Sequence, residues 1–163
     1  MMAGKDMAQI GFASIQAFSE TCMKATRPEH IAGRLGLLAE QLGYTTWYAG
    51  SLMHEHELAG RGFGFYAGSL RWSKRYTDER YCFVDPVFLA AKDDEKAVQW
   101  SDCARGLARK RTNKKALQVL NEAREFGICD GFTKAWHGFG PVPGGVTFGG
   151  EQPDVSKDAR MSL

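Results

Sequence analysis

Residues 70–87 read LRWSKRYTDERYCFVDPV, a helix-forming run closed by a segment that cannot continue it. Leu70 to Arg80 reads as a helix, and Val84-Asp85-Pro86-Val87 breaks it. Pro86 disfavours helical backbone at Asp85, which is expected in an extended stretch or a turn. Trp72 and Tyr76 are four residues apart, so their side chains share one helix face. Asp85 follows at the exit of the segment, and Trp100 lies beyond a loop of mixed polarity. Together they offer an indole N–H donor, a phenol that donates or accepts, a carboxylate acceptor and a broad aromatic wall. Such a set suits a neutral small molecule with both C=O and N–H groups, held in a pocket whose apolar lining supplies affinity. The same residues also suit a plain core: Trp and Tyr as anchors with one polar contact, Asp before Pro as a turn cap. Spacing alone leaves both readings open.

Upstream, Thr26-Arg27-Pro28-Glu29 is a helix start with Pro28 in the first turn. Ile31, Leu35, Leu38 and Leu42 follow at helical spacing, and Gly43 supplies a stop. Residues 44–48, YTTWY, are rich in β-branched and aromatic side chains and read as a strand. Leu52 to Gly60 is polar, and glycines 60, 62 and 64 predict a turn into a second strand at Phe63 to Ala67. Downstream of the quoted run lies a long connection. Ser101 to Phe126 is then helical in pattern, with an interruption near Thr112-Asn113 and Gly127 as its end. Phe132 to His137 and Val146 to Phe148 are short strands around a glycine- and proline-rich hairpin loop. Asp154 to Leu163 reads as the opening of one more helix. Helices outside an antiparallel sheet predict an α+β fold or an α/β fold, the latter a three-layer α-β-α sandwich, over residues 1–163.

A chain of 163 residues is one domain long and can bury a substantial core. Lys and Arg total 21 against 19 acidic residues, so the charge balance by itself points to no nucleic-acid partner. Cys22, Cys82, Cys103 and Cys129 are too widely spaced for a zinc or redox pair and read as buried free thiols of a cytoplasmic protein. No run is apolar enough for a signal peptide or a membrane span.

The run Trp72-x-x-x-Tyr76, then Tyr81-x-x-x-Asp85-Pro86-Val87 and Trp100, closely resembles the ligand-binding domain of LuxR-type quorum-sensing regulators. Ala123 to Thr133, followed by Trp136-His137-Gly138 and Gly145-Val146-Thr147, fits the same family, and the resemblance runs from Pro28 to the C-terminus. It implies a five-stranded antiparallel sheet between helical layers and an N-acyl-homoserine lactone threaded between sheet and helices. By that resemblance Trp72 would donate to the lactone carbonyl and Asp85 would accept from the ligand amide. Tyr76 would flank the acyl chain and reach the amide carbonyl, Trp100 would pack on the lactone end, and Thr147 would reach a carbonyl. The family's Asn-Tyr-Pro segment is missing, and Gly68 stands where its Tyr would be, leaving space for a neighbouring ring or an atypical effector. A proline that members often carry after the Gly-x-Thr run is also absent, since Thr133 is followed by Lys134-Ala135-Trp136. Family regulators continue into a helix-turn-helix DNA-binding domain that these residues do not supply.

Other signals are weaker. His54-Glu55-His56-Glu57 lacks an evident third metal ligand and reads as a polar turn, so no metal and no cofactor are expected. Cys129 with His137 is a poor basis for catalysis, and no triad signature supports an enzyme. The basic run from Arg105 to Lys115 lacks interleaved aromatics and reads as a solvated helix face. The expected function is effector sensing by a homodimer, with DNA bound only through a domain absent here. The alternative is a truncated regulator that sequesters full-length relatives in inactive heterodimers.

Overall fold

The computed structural model describes residues 3–52, 63–93, 96–110, 114–137 and 143–153. Helix α1 (Ala3–Lys24) precedes α2 (Pro28–Gln41), which starts at the expected proline. Strands β1 (Thr46–Ser51) and β2 (Gly64–Ala67) follow, then α3 (Leu70–Asp78) and a single 3₁₀ turn at Tyr81–Phe83. Next come α4 (Pro86–Asp93), β3 (Val98–Gln99), α5 (Trp100–Lys110) and α6 (Lys114–Glu125). Strands β4 (Asp130–Trp136) and β5 (Gly144–Gly150) complete the fold. The strands form one antiparallel sheet in the order β2-β1-β5-β4-β3.

Three elements depart from the sequence reading. The N-terminal region forms a long helix, α1, whose Phe18 packs against the core. The expected long connection contains α4 and β3. Pro86 opens α4 at its first position, where the missing N–H is no loss, so the residue that ends one helix starts another. The four cysteines are free but only half-buried, not fully buried as expected. The polar turn with His54 to Glu57 and the helix expected from Asp154 lie outside the described residues.

Strand alternation separates the sheet into two unlike faces. Ala67, Trp47, Phe148 and Phe132 lie in one cross-strand row on the first face. Leu35 and Ala39 of α2 and the ring of Tyr44 close over this row as a core cluster. On the other face the neighbouring row is Tyr66, Tyr48, Thr147, Thr133 and Val98, rich in hydroxyls. Helices α3 to α6 stand over that face with a second cluster of Trp72, Tyr81, Val119, Ala123 and Ile128. A three-layer α-β-α sandwich results, with the polar face of the sheet turned inward.

A charge network ties α3 to α6 behind the second cluster. Arg75 donates from Nε and Nη2 to the two oxygens of Glu122 at 2.9 and 3.1 Å. Tyr81 Oη and Gln118 Nε2 add donors to the same carboxylate, both at 2.7 Å. The bond from Arg75, helped by Gln118 and Tyr81, lowers the Glu122 carboxyl to about 2. A carboxylate made more acidic by folding adds stability above its ordinary value of 4.5. That contribution fades as pH falls from 4.5 towards 2. Glu122→Gln is therefore expected to lower the Tm at pH 7 by a few degrees. It should also flatten the loss of stability between pH 5 and pH 2, which a pair of pH-dependent melts reads; equal slopes would refute the network's role.

Candidate functional site

Between the inward sheet face and α3 to α6 lies a cavity of about 380 Å³. Trp72, Tyr76, Asp85, Trp100 and Thr147 all line it, so every site residue expected from the sequence meets in one place. Each arrives by local rules. Ser69 caps α3 by accepting from the Trp72 N–H at 3.3 Å, which fixes the first turn. One turn later Tyr76 stacks edge-on against Trp72, with ring centroids 5.7 Å apart. Tyr81 and Phe126 also pack against the Trp72 ring, at 6.1 and 5.5 Å.

Asp85 has two tasks. Its Oδ1 accepts from the Val87 and Phe88 N–H groups at 2.8 and 3.3 Å, capping α4. Its Oδ2 accepts from Tyr76 Oη at 2.8 Å. Burial holds the carboxyl above its ordinary value, and these three donors offset only part of that. A carboxylate has about four acceptor positions, so one remains for a donor in the cavity. Tyr76 is pushed well up by burial and by the adjacent Asp85 charge, which keeps it a neutral donor.

Trp72 is 7% exposed, and its indole N–H has no hydrogen-bond partner among the described residues. A buried donor without an acceptor is rare in native structures and calls for an explanation. Trp100 differs: its Nε1 donates to Thr133 Oγ1 at 3.1 Å, and Thr133 shares a 2.5 Å hydroxyl contact with Thr147. Thr147 in turn donates to the Phe132 carbonyl at 3.3 Å. The Trp100 ring also lies over Gly149, where a methyl would sit only 3.0 Å from it.

Tyr48, Tyr66, Thr46 and Thr133 line the same cavity and were not singled out from the sequence. Alternation within residues 44–48 does put Thr46 and Tyr48 on one face. Which face looks inward depends on the packing of both helical layers. Gly68 sits at φ +141°, and a methyl there would come within 2.7 Å of Thr46 Oγ1 and 2.9 Å of Tyr66 Oη. The space expected at Gly68 is thus filled by a neighbouring tyrosine and a threonine.

The autoinducer binding domain family matches residues 27–163, most of the chain. The chain belongs to that family. No curated protein matches this autoinducer-binding domain in sequence. Its fold is similar to CepR2 of Burkholderia cenocepacia, an N-acylhomoserine lactone dependent LuxR-family transcription factor. The two share 15% identity and a TM-score of 0.69, over 91% of this chain and 84% of that one. Similarity to Escherichia coli SdiA is equal in kind, with 16% identity and a TM-score of 0.70 over 93% of this chain. A structure of SdiA in complex with octanoyl-rac-glycerol gives 15% identity and 0.68 over 94% of this chain. The domain spans 62% and 59% of those two SdiA chains. These identities speak for the shared fold. Among the described residues no helix is long and apolar enough to cross a membrane, and no cluster of metal-binding side chains occurs.

Proposed function

We propose that the domain senses an N-acyl-homoserine lactone held in the cavity between sheet and helices. The observation that carries this reading is the unpartnered Trp72 indole in one cavity with Asp85, with Tyr76 touching both and Leu52, Phe83, Val87 and Leu120 among the apolar wall. Trp72 would donate to the lactone carbonyl, and Asp85 would accept from the amide N–H. Tyr76 would flank the acyl chain, Trp100 would pack on the ring, and Thr147 would turn its hydroxyl from the Phe132 carbonyl towards a ligand carbonyl. Six chain methylenes removed from water contribute about 5 kcal/mol before ordering costs. Head-group bonds add less affinity but exclude ligands that would leave Asp85 or Trp72 buried without a partner.

Residues 1–163 act in this reading as the sensor unit of a dimeric cytoplasmic regulator whose DNA contacts belong to a separate domain. Family membership supports a binding role over a catalytic one. Ligand entering an internal cavity completes the core and stabilises the folded state by mass action. A hundredfold excess over Kd adds about 2.7 kcal/mol, which raises the Tm by roughly 5–10 °C. Melting curves with short- to long-chain acyl-homoserine lactones check this. Absence of a shift with every chain length would overturn the lactone assignment.

A further inference from the structure

Thr46 is 8% exposed, lines the cavity, and its hydroxyl has no hydrogen-bond partner among the described residues. Beside it stands a second oxygen. The contacts of a methyl placed on Gly68 show that Thr46 Oγ1 and Tyr66 Oη border the same spot above the glycine. Tyr66 donates its hydrogen to the Ser69 carbonyl at 2.9 Å, so towards the cavity it offers only lone pairs. Burial raises the Tyr66 phenol, which keeps that hydrogen in place at neutral pH. Thr46 keeps both a hydrogen and lone pairs unspent. Ser69 also caps α3 through the Trp72 N–H, so this pair of oxygens borders the start of the helix that carries Trp72.

The chemistry of the pair is selective. A ligand carbonyl takes the Thr46 hydrogen but sets its own lone pairs against those of Tyr66. A ligand hydroxyl satisfies both oxygens, donating to Tyr66 Oη while accepting from Thr46. Leaving a buried hydroxyl unmatched costs about 1–3 kcal/mol, so the cavity rewards the ligand that matches it.

We propose that Thr46 and Tyr66 form a hydroxyl-recognising subsite in the cavity that Trp72 also lines, which fits the domain to acyl ligands carrying a free hydroxyl on the head group. This inference rests on the cavity being the effector site but not on the effector being a lactone. Gly68 is required there because any side chain would displace both oxygens, and its φ of +141° strains other residues.

The test is titration calorimetry of the 163-residue chain with 1-octanoyl-rac-glycerol and, separately, N-octanoyl-homoserine lactone. Thr46→Val and Tyr66→Phe keep shape and remove one hydroxyl each. Tyr66→Phe is expected to weaken octanoylglycerol about tenfold or more and to hold the lactone, whose head group carries no hydroxyl, within about twofold, while Thr46→Val is expected to weaken octanoylglycerol at least as much. Wild-type binding of the lactone without octanoylglycerol overturns the subsite and leaves the lactone reading standing. Octanoylglycerol binding lost in the variants, with no binding of the octanoyl lactone, supports the subsite and leaves the lactone to the melting curves with the other chain lengths. Equal weakening of both ligands by Tyr66→Phe, or of neither, overturns the subsite. Failure of wild type to bind octanoylglycerol overturns the subsite whether or not the lactone binds.

Discussion

Asp85→Asn is expected to raise the Kd for an acyl-homoserine lactone by roughly a hundredfold while leaving the ligand-free domain at least as stable. The two halves of this result have separate causes. Asn caps a helix about as well as Asp, so the bonds to the Val87 and Phe88 N–H groups that start α4 survive. Burial raises the Asp85 carboxyl, so its ionised form opposes folding at neutral pH. That penalty is relieved as pH falls and the carboxyl protonates, the opposite sign to Glu122, and a neutral amide removes it altogether. Binding suffers because the Asn oxygen is committed to the helix cap and its NH₂ group meets the ligand amide donor to donor. A lost bond to a charged acceptor is worth about 1.5–3 kcal/mol, and 1.4 kcal/mol is a factor of ten. Calorimetric titration beside a thermal melt separates the two effects. Unchanged affinity would remove Asp85 from the site, and a large drop in the ligand-free Tm would show that its charge holds the fold.

Phe132→Ala is the substitution with the largest expected effect on folding. Phe132 is 1% exposed and lies in the sheet row that α2 covers, between Phe148 on β5 and Gln99 on β3. Leu35, Ala39 and Trp47 belong to the same core cluster. Truncating a buried Phe to Ala costs about 3–5 kcal/mol, because close packing leaves a cavity the neighbours cannot fill. Whole domains are stable by only about 5–15 kcal/mol, so the Tm should fall by roughly 10–15 °C. The Phe132 ring faces α2, away from the cavity on the other side of the sheet. Saturating ligand should therefore recover about 2.7 kcal/mol of the loss at a hundredfold excess over Kd. A Tm within about 3 °C of wild type would show that the sheet and α2 do not share one cooperative core. Loss without any recovery would show that the ligand does not draw on the folding equilibrium.

The same residues mark how far the sequence could be read. Helical spacing placed Trp72 and Tyr76 on one face, and Pro86 fixed a change of structure at Asp85. Both depend on neighbours only a few residues away. Pro86 carried two meanings at once, and its role as first residue of α4 was missed because a breaker and a starter look alike locally. The two-residue strand β3 is too short to show any period and exists only because β4 pairs with it at Val98 and Gln99. Family resemblance, not spacing, selected Thr147. The pattern offered no reason to prefer it over Thr133, which lies opposite it across the β4–β5 pair.

The sequence by itself determined which residues form elements and which of them share a face, since backbone sterics and side-chain period act within a few residues. Tertiary structure alone decided that the hydroxyl-bearing face of the sheet turns inward. It also brought Thr46 and Tyr66 to one spot above Gly68 and set Arg75 against Glu122. Those contacts join residues far apart along the chain, and closing such loops is favourable only when whole layers pack together.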